Sequence, residues 1–358
     1  MRADRLPLGI VTLVAVGLAG CAGTTRQVEL DPLSFTATRT EDGVKVDTLD
    51  PEVLFQEAAA DFEAGRHDDA VRRFGLILRH FPNDPLAAPA RFNRGLALLG
   101  ARRPAAAADD FRAYLATRPD APDRADALAH LGEALLDSGE WSGAREALLA
   151  RLDAGPATRL QEVETRARLA RACRMLGRYE ESRGHVERVL SLHDRDATSP
   201  EMAGNYFVAM AAFEGASTWH DLFGLIRFVL PTDRMEKDLT DKATLFLKAQ
   251  AEYLRTIRLR NVYWGVQAGI RVGRMYEEFY DAIMTAQTPP EFTEEELRLY
   301  RDDLKSKARP LVAKAVAAYE RNLAAAKMYG AREEWFGDMA ARLERLKRIL
   351  EDDAPPAP

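Results

Sequence analysis

Small and apolar residues recur along the first half of the chain at a fixed stride. The first copy of the pattern reads Ala58, Gly65, Ala70, Phe74, Leu78 and Pro82. The second reads Gly95, Ala107, Phe111, Leu115 and Pro119, with Arg102 at the place of the turn glycine. The third reads Gly132, Gly139, Ala144, Leu148 and Leu152, and the fourth Ala170, Gly177, Ser182, Val186 and Leu190. Matching positions step by 37, 37 and 38 residues. Within a copy the apolar positions fall four and seven apart, which is the period of a helix face and not the alternation of a strand. Each copy therefore predicts two helices joined at the glycine. Pro85, Pro89, Pro119, Pro122 and Gly155-Pro156 mark the loops between copies.

The residue types have direct physical reasons. Ala58, Gly95 and Gly132, with Ala70, Ala107 and Ala144, allow two antiparallel helices to approach closely, while Phe74 and Phe111 fill the wedge towards the next hairpin. Gly65, Gly139 and Gly177 end the first helix of a pair, where a positive φ is needed. The prolines after Phe81 and Arg118 stop the second. This order of small residue, Gly, Ala, aromatic, Leu and Pro resembles the tetratricopeptide repeat, a helix–turn–helix of about 34 residues. The extra residues fall in the inter-repeat loops. The resemblance implies an all-α, tetratricopeptide-type helical-hairpin solenoid over residues 51–195, each unit burying its apolar face against its neighbours.

Residues 196–350 read as degenerate repeats and a C-terminal helical region. Met202 to Phe213 and Leu222 to Leu230 predict a hairpin turning at Gly215-Ala216-Ser217-Thr218. Leu239 to Arg260 and Val262 to Ala286 predict two long helices. After Pro289-Pro290, the run Thr293-Glu294-Glu295-Glu296 predicts a capped helix start, with an interruption at Pro310 and an end at Gly330. Glu333 to Leu350 predicts a charged closing helix, as solenoids require at their ends. The Ala- and Pro-rich residues 351–358 predict a disordered tail.

The first fifty residues differ from everything after them. Arg2 and Arg5 precede an apolar run from Leu6 to Leu18, too short for a membrane-spanning helix of roughly 20 residues and suited to a secretory signal over residues 1–20. The run ends in Leu18-Ala19-Gly20-Cys21, which resembles the bacterial lipobox. That resemblance implies lipidation at Cys21 and a mature chain that begins there. Two or three acyl chains hold a protein on a membrane almost irreversibly. Ala22 after the cysteine resembles an outer-membrane address, giving an outer-membrane, periplasm-facing localisation. Residues 21–50 then predict a polar tether and a short N-terminal β-hairpin, because Thr- and Val-rich residues 34–49 flank Asp42-Gly43. Cys173 is the only other cysteine, so with Cys21 acylated it reads as a small buried hydrophobe.

Composition narrows the function classes. The chain has 358 residues with a net charge of −6, and such a balance offers nucleic acid no basic surface. Phosphate-binding glycine loops, zinc-binding H-E-x-x-H and the G-x-S-x-G nucleophile turn are absent from the sequence. The six histidines are scattered; His193-Asp194-Arg195-Asp196 reads as a solvated linker and His67-Asp68-Asp69 as turn and helix-start chemistry. These observations predict no enzyme, no cofactor and no metal.

Interaction with other proteins remains. In the tetratricopeptide family the first helix of each pair lines the inner surface, and the repeat register places Phe55, Phe62, Phe92, Glu133, Asp137, Arg171 and Arg174 there. The row runs from aromatic through acidic to basic, a mixture fitted to a peptide or partner helix. Packing of the phenylalanines against residues 34–49 is the competing role. Tyr263-Trp264, Gly265 to Gly273, Tyr276-Glu277-Glu278-Phe279 and Tyr300 to Asn322 resemble the large tetratricopeptide lipoproteins of gliding deltaproteobacteria. That resemblance implies a lipid-anchored scaffold with envelope protein partners, in gliding or envelope-assembly machinery, and leaves oligomeric state open. The alternative is a ligand carrier or enzyme-associated module with an aromatic pocket where Tyr263, Trp264, Tyr276 and Tyr280 concentrate.

Overall fold

The computed structural model describes residues 34–40, 43–155, 158–196 and 199–352, with side chains described from Leu49 to Glu351 in those ranges. Cys21, the signal segment, the tether before residue 34 and the tail from residue 353 lie outside the described residues. Two compact units divide the chain at Asp50.

The first unit holds two strands, β1 (Ser34–Thr40) and β2 (Gly43–Leu49), paired antiparallel from Ser34 opposite Leu49 to Thr40 opposite Gly43. Gly43 is thus the first paired residue of β2 and does not sit at the centre of the turn, as the Asp42-Gly43 pair suggests.

The second unit begins with four helical hairpins: α1 (Pro51–Glu63) with α2 (His67–His80), α3 (Ala87–Gly100) with α4 (Pro104–Thr117), α5 (Arg124–Ser138) with α6 (Trp141–Asp153), and α7 (Arg159–Met175) with α8 (Tyr179–Asp194). The small positions do what their size predicts. Ala70, Ala107 and Ala144 are fully buried. A Cβ on Gly95 would lie 2.7 Å from the Phe111 ring, and one on Gly132 would lie 2.5 Å from Leu148, so neither contact tolerates a larger residue. All four turns put one residue in the left-handed region: Gly65, Gly139 and Gly177 at φ 76°, 81° and 70°, and Arg102 at φ 57°. Arg102 adopts the conformation of the glycine it replaces. Ion pairs on buried carboxylates join the helices of the first two hairpins, Asp61 with Arg73, and Asp110 with Arg94 at 2.6 Å.

Four longer helices follow: α9 (Tyr206–Leu225), α10 (Thr232–Arg258), α11 (Val262–Met284) and α12 (Glu294–Met328). A short 3-10 turn, Glu333–Trp335, and the closing helix α13 (Met339–Asp352) complete the unit. Asn205, Asn261 and Thr293 cap the starts of α9, α11 and α12, the last with Glu296 in a capping box.

Two sequence expectations are corrected here. Gly215 to Thr218 do not turn; they lie inside the continuous helix α9, and Ala216, Ser217 and Thr218 are buried. Gly215 serves close packing, since a Cβ there would lie 3.0 Å from Val186, and the Thr218 hydroxyl bonds back to the Glu214 carbonyl at 3.0 Å. Pro310 likewise does not interrupt α12. Pro310 and Ser306, whose carbonyl lacks its helical donor, are both exposed, so water satisfies the freed group and the helix continues.

Candidate functional site

Helices α1, α3, α5, α7 and α9 lie side by side in that order and present one face. Phe55 and Phe62 are half-buried within the first hairpin, Phe55 edge-on to Phe74 at 5.4 Å and Phe62 edge-on to His67 at 5.5 Å. Phe92 is also half-buried, among Phe111, Tyr114 and His130 at 5.6, 5.3 and 5.9 Å. These rings support the repeat cores while leaving an edge to solvent.

From Phe92 the face continues through charge. His130 lies 3.5 Å from Glu133, and Glu133 lies 3.1 Å from Arg168 on α7. Burial pushes the Glu133 carboxyl up, but His130 and Arg168 together hold it below its ordinary value. Asp137, one turn further along α5, has its carboxyl raised by burial and by Glu133, against the opposing charges of Arg171 and Arg168. Arg168 also pairs with Glu164 and stands over the Phe207 ring at 5.1 Å. Tyr206, 44% exposed, extends the face by stacking on Tyr263 at 6.1 Å. The structure therefore brings Phe92, Glu133, Asp137 and Arg171 onto one row of helices, with the buried Arg168 beneath them, and adds the exposed Tyr206, which sequence register alone leaves out. Tyr206 directly follows the helix cap Asn205, the signal that fixes where α9 begins.

Arg174 does not belong to this surface. Its guanidinium turns into the fold, bonding Glu214 at 2.7 Å and Asp221 at 2.8 Å on α9, and Glu214 is only 2% exposed. The basic end of the predicted row is thus Arg171.

The proposed aromatic pocket in the C-terminal half is also corrected. Trp264 is buried among Phe213, Tyr206 and Tyr263, and Tyr280 is buried in a separate cluster with Val312 and Leu346. Only Tyr276 of that group reaches the large cavity of this region, a trough of about 880 Å³ over α11 between α10 and α12. A second, shallower cleft holds Glu277, which accepts hydrogen bonds from Tyr319 at 3.0 Å and from Arg342 and Arg345 of α13. Its charges are spent on pinning the closing helix.

Two further clusters have chemistry-bearing side chains. His220 bonds Tyr253 at 3.1 Å and Glu278 at 2.8 Å, and Tyr253 contacts Ser217 at 3.2 Å. Tyr253 is fully buried and burial holds its phenol well above the ordinary value, so the chain cross-links α9, α10 and α11. Cys173, Glu181 and His185 lie within 4.8 Å of one another. Arg145 and Arg178 already hold Glu181, Arg166 lies beside His185, and the Cys173 thiol is pushed up to about 11 by burial. Three guanidiniums around a neutral thiol oppose a cation.

The tetratricopeptide-repeat family model matches residues 55–122 and 131–200, the span of the four short hairpins. Those two segments carry tetratricopeptide repeats, and such repeats indicate a protein–protein interaction scaffold. Solved structures with a similar fold include the C-terminal part of a TPR repeat-containing protein from Cytophaga hutchinsonii, 12% identical with a TM-score of 0.43 over 85% of this chain and 96% of that one. MamA from Desulfovibrio magneticus is 17% identical with a TM-score of 0.40, over 56% and 94%. A thermophilic TPR protein of Thermus thermophilus is 17% identical with a TM-score of 0.38, over 72% and 99%. No curated protein matches the sequence.

Proposed function

We infer that this chain is a scaffold of a bacterial envelope complex, lipid-anchored at Cys21 to the outer membrane and facing the periplasm. The observation that carries the scaffold reading is the inner face from Phe92 through Glu133, Asp137 and Arg171 to Tyr206. It combines aromatic edges with both signs of charge, the composition of a surface that reads a polypeptide. The anchor and address rest on Leu18-Ala19-Gly20-Cys21 and Ala22. Gliding or envelope-assembly machinery is the setting that the C-terminal resemblance supports.

The test is purification of the full chain from native envelope with its anchor intact. Mass spectrometry should find an acylated N-terminal Cys21, and Cys21→Ala should release the protein from the membrane fraction. Protein partners recovered with the parent should be reduced by Glu133→Lys combined with Arg171→Glu, at unchanged helix content. Unmodified protein free of membrane rejects the anchor, and partner recovery indifferent to the double reversal rejects the inner face.

A further inference from the structure

The trough over α11 is built from one stripe of each of three helices. Val262, Gly265, Val266, Gly269, Val272 and Tyr276 of α11 form its floor. From Val262 to Tyr276 this floor runs about 21 Å at 1.5 Å per residue. Leu254 and Ile257 of α10 form one wall, and Ala318 and Ala325 of α12, with Tyr329 directly after it, the other. The floor lies low because glycine leaves room. A Cβ at Gly269 would strike Asn322 at 2.2 Å, so α11 and α12 touch there, while nothing lies within 4 Å of a Cβ at Gly265.

The walls are apolar and open. Leu254, Ile257 and Val262 are 40–41% exposed and Tyr329 is 65% exposed. The apolar surface runs past the trough to Leu247 on α10 and Met328 on α12, 63% and 71% exposed. Contiguous apolar surface of this kind marks a place where another molecule binds. The charge at the trough has one sign: Arg260 and Arg321 line it, no carboxylate does, and neither arginine forms an ion pair among the described residues.

We propose that this trough receives one acidic amphipathic α-helix of a partner protein, its apolar stripe on the glycine-bearing floor and its carboxylates towards Arg260 and Arg321. An extended peptide would need donors and acceptors for its own backbone, and the walls are helices that keep theirs internally bonded. The uncharged polar side chains within reach are engaged, Gln250 with the Tyr276 hydroxyl at 2.7 Å, Asn322 with the Val266 carbonyl at 3.0 Å and Asn261 with the Gly204 carbonyl at 3.1 Å. A helix satisfies its own backbone and presents apolar residues at the spacing the floor offers. A small amphiphile held in the cavity would leave Leu247 and Met328 uncovered. The inference rests on the scaffold reading for the existence of a protein partner, but places its docking outside the four matched repeats.

The experiment selects binders to the full chain from a library of helical peptides of about 18 residues, with apolar residues varied at one stripe and Glu, Asp, Gln and Lys varied elsewhere. Selected peptides should be rich in Glu and Asp, and should lose about tenfold or more in affinity, at least 1.4 kcal/mol, for Gly265→Leu, which fills the floor. Gly265→Leu should melt with the parent, since its side chain enters open space. Arg321→Glu, on an exposed residue, should shift the selection towards Lys. Peptides rich in Lys, indifference to both substitutions, no binders at all, or displacement of selected peptides by sodium dodecanoate at equal affinity for acidic and basic sequences each overturn the proposal. Envelope partners recovered equally by the parent and by Gly265→Leu overturn the trough while leaving the scaffold, whereas no partner recovered by the parent overturns the scaffold itself.

Discussion

Arg174 on α7 and Glu214 on α9 form a 2.7 Å ion pair that steps over α8, joining the last matched repeat to the long helices. Glu214 is 2% exposed, so that guanidinium stands in for the water it has lost. Removing one partner of a buried pair strands the other, whereas replacing both with apolar residues is often neutral or better. Arg174→Ala should therefore lower stability by about 3 kcal/mol in urea unfolding. Arg174→Met with Glu214→Leu should recover most of that loss. Equal losses in the single and double variants would show that packing, not charge, holds the junction.

Arg102 occupies the left-handed turn position that glycine fills in three of the four short hairpins. A residue with a Cβ is destabilised there by about 1–2 kcal/mol. Arg102 is exposed, so Arg102→Gly should raise the melting temperature, and Gly139→Val should lower it. No rise for Arg102→Gly would mean that the arginine makes compensating contacts in solution.

Ala107 lies fully buried where α4 meets its neighbours. Ala107→Leu should cost about 1–3 kcal/mol through overpacking, measured by thermal or chemical denaturation. Phe62→Ser, at a half-buried ring, should cost about 1 kcal/mol. A larger loss for Phe62→Ser than for Ala107→Leu would reverse their assignment as surface edge and core.

Much of this was legible in the sequence because the first eight helices are short and repeat one geometry. Ala70, Ala107 and Ala144 recur in register since each solves the same close approach, and Thr293 with Glu296 announces a helix start by local chemistry alone. The C-terminal half resisted for the same physical reasons in reverse. Helices α9 to α12 run 20, 27, 23 and 35 residues, so their contacts repeat nothing earlier. Gly215 reads as a turn only until Val186 is known to press on it, and Pro310 reads as a break only until its face is known to be wet. The row of first helices was half legible: register places Phe92, Glu133, Asp137 and Arg171 along it, but whether Arg174 points out or in depends on Glu214, forty residues away.

Cys173 is fully buried, and burial together with the Glu181 carboxylate pushes its thiol from 9.0 to about 11. Iodoacetamide at pH 8 should alkylate it very slowly in the folded protein and readily in urea, because only the thiolate reacts. Below pH 9 both states keep the proton and the thiol adds no pH dependence. Above pH 9 the unfolded thiol ionises while the folded one does not, so this contribution to stability falls between pH 9 and 11. Cys173→Ala should flatten that part of the stability profile. Rapid alkylation under native conditions would place the thiol at the surface.

The two gauges of hairpin have a consequence for how such a chain can change length. Units that touch only their neighbours can be copied in tandem, since a duplicate of α3 and α4 meets the same surfaces its original met. Beyond the Arg174–Glu214 seam the contacts are one of a kind: Tyr319 beneath Gly273, Asn322 beneath Gly269, Glu277 clamped by Arg342 and Arg345. A copied segment there would find no matching socket. The stretch before α9 is therefore the part whose units can be repeated without new contacts, and the long-helix half is a fixed block beside it.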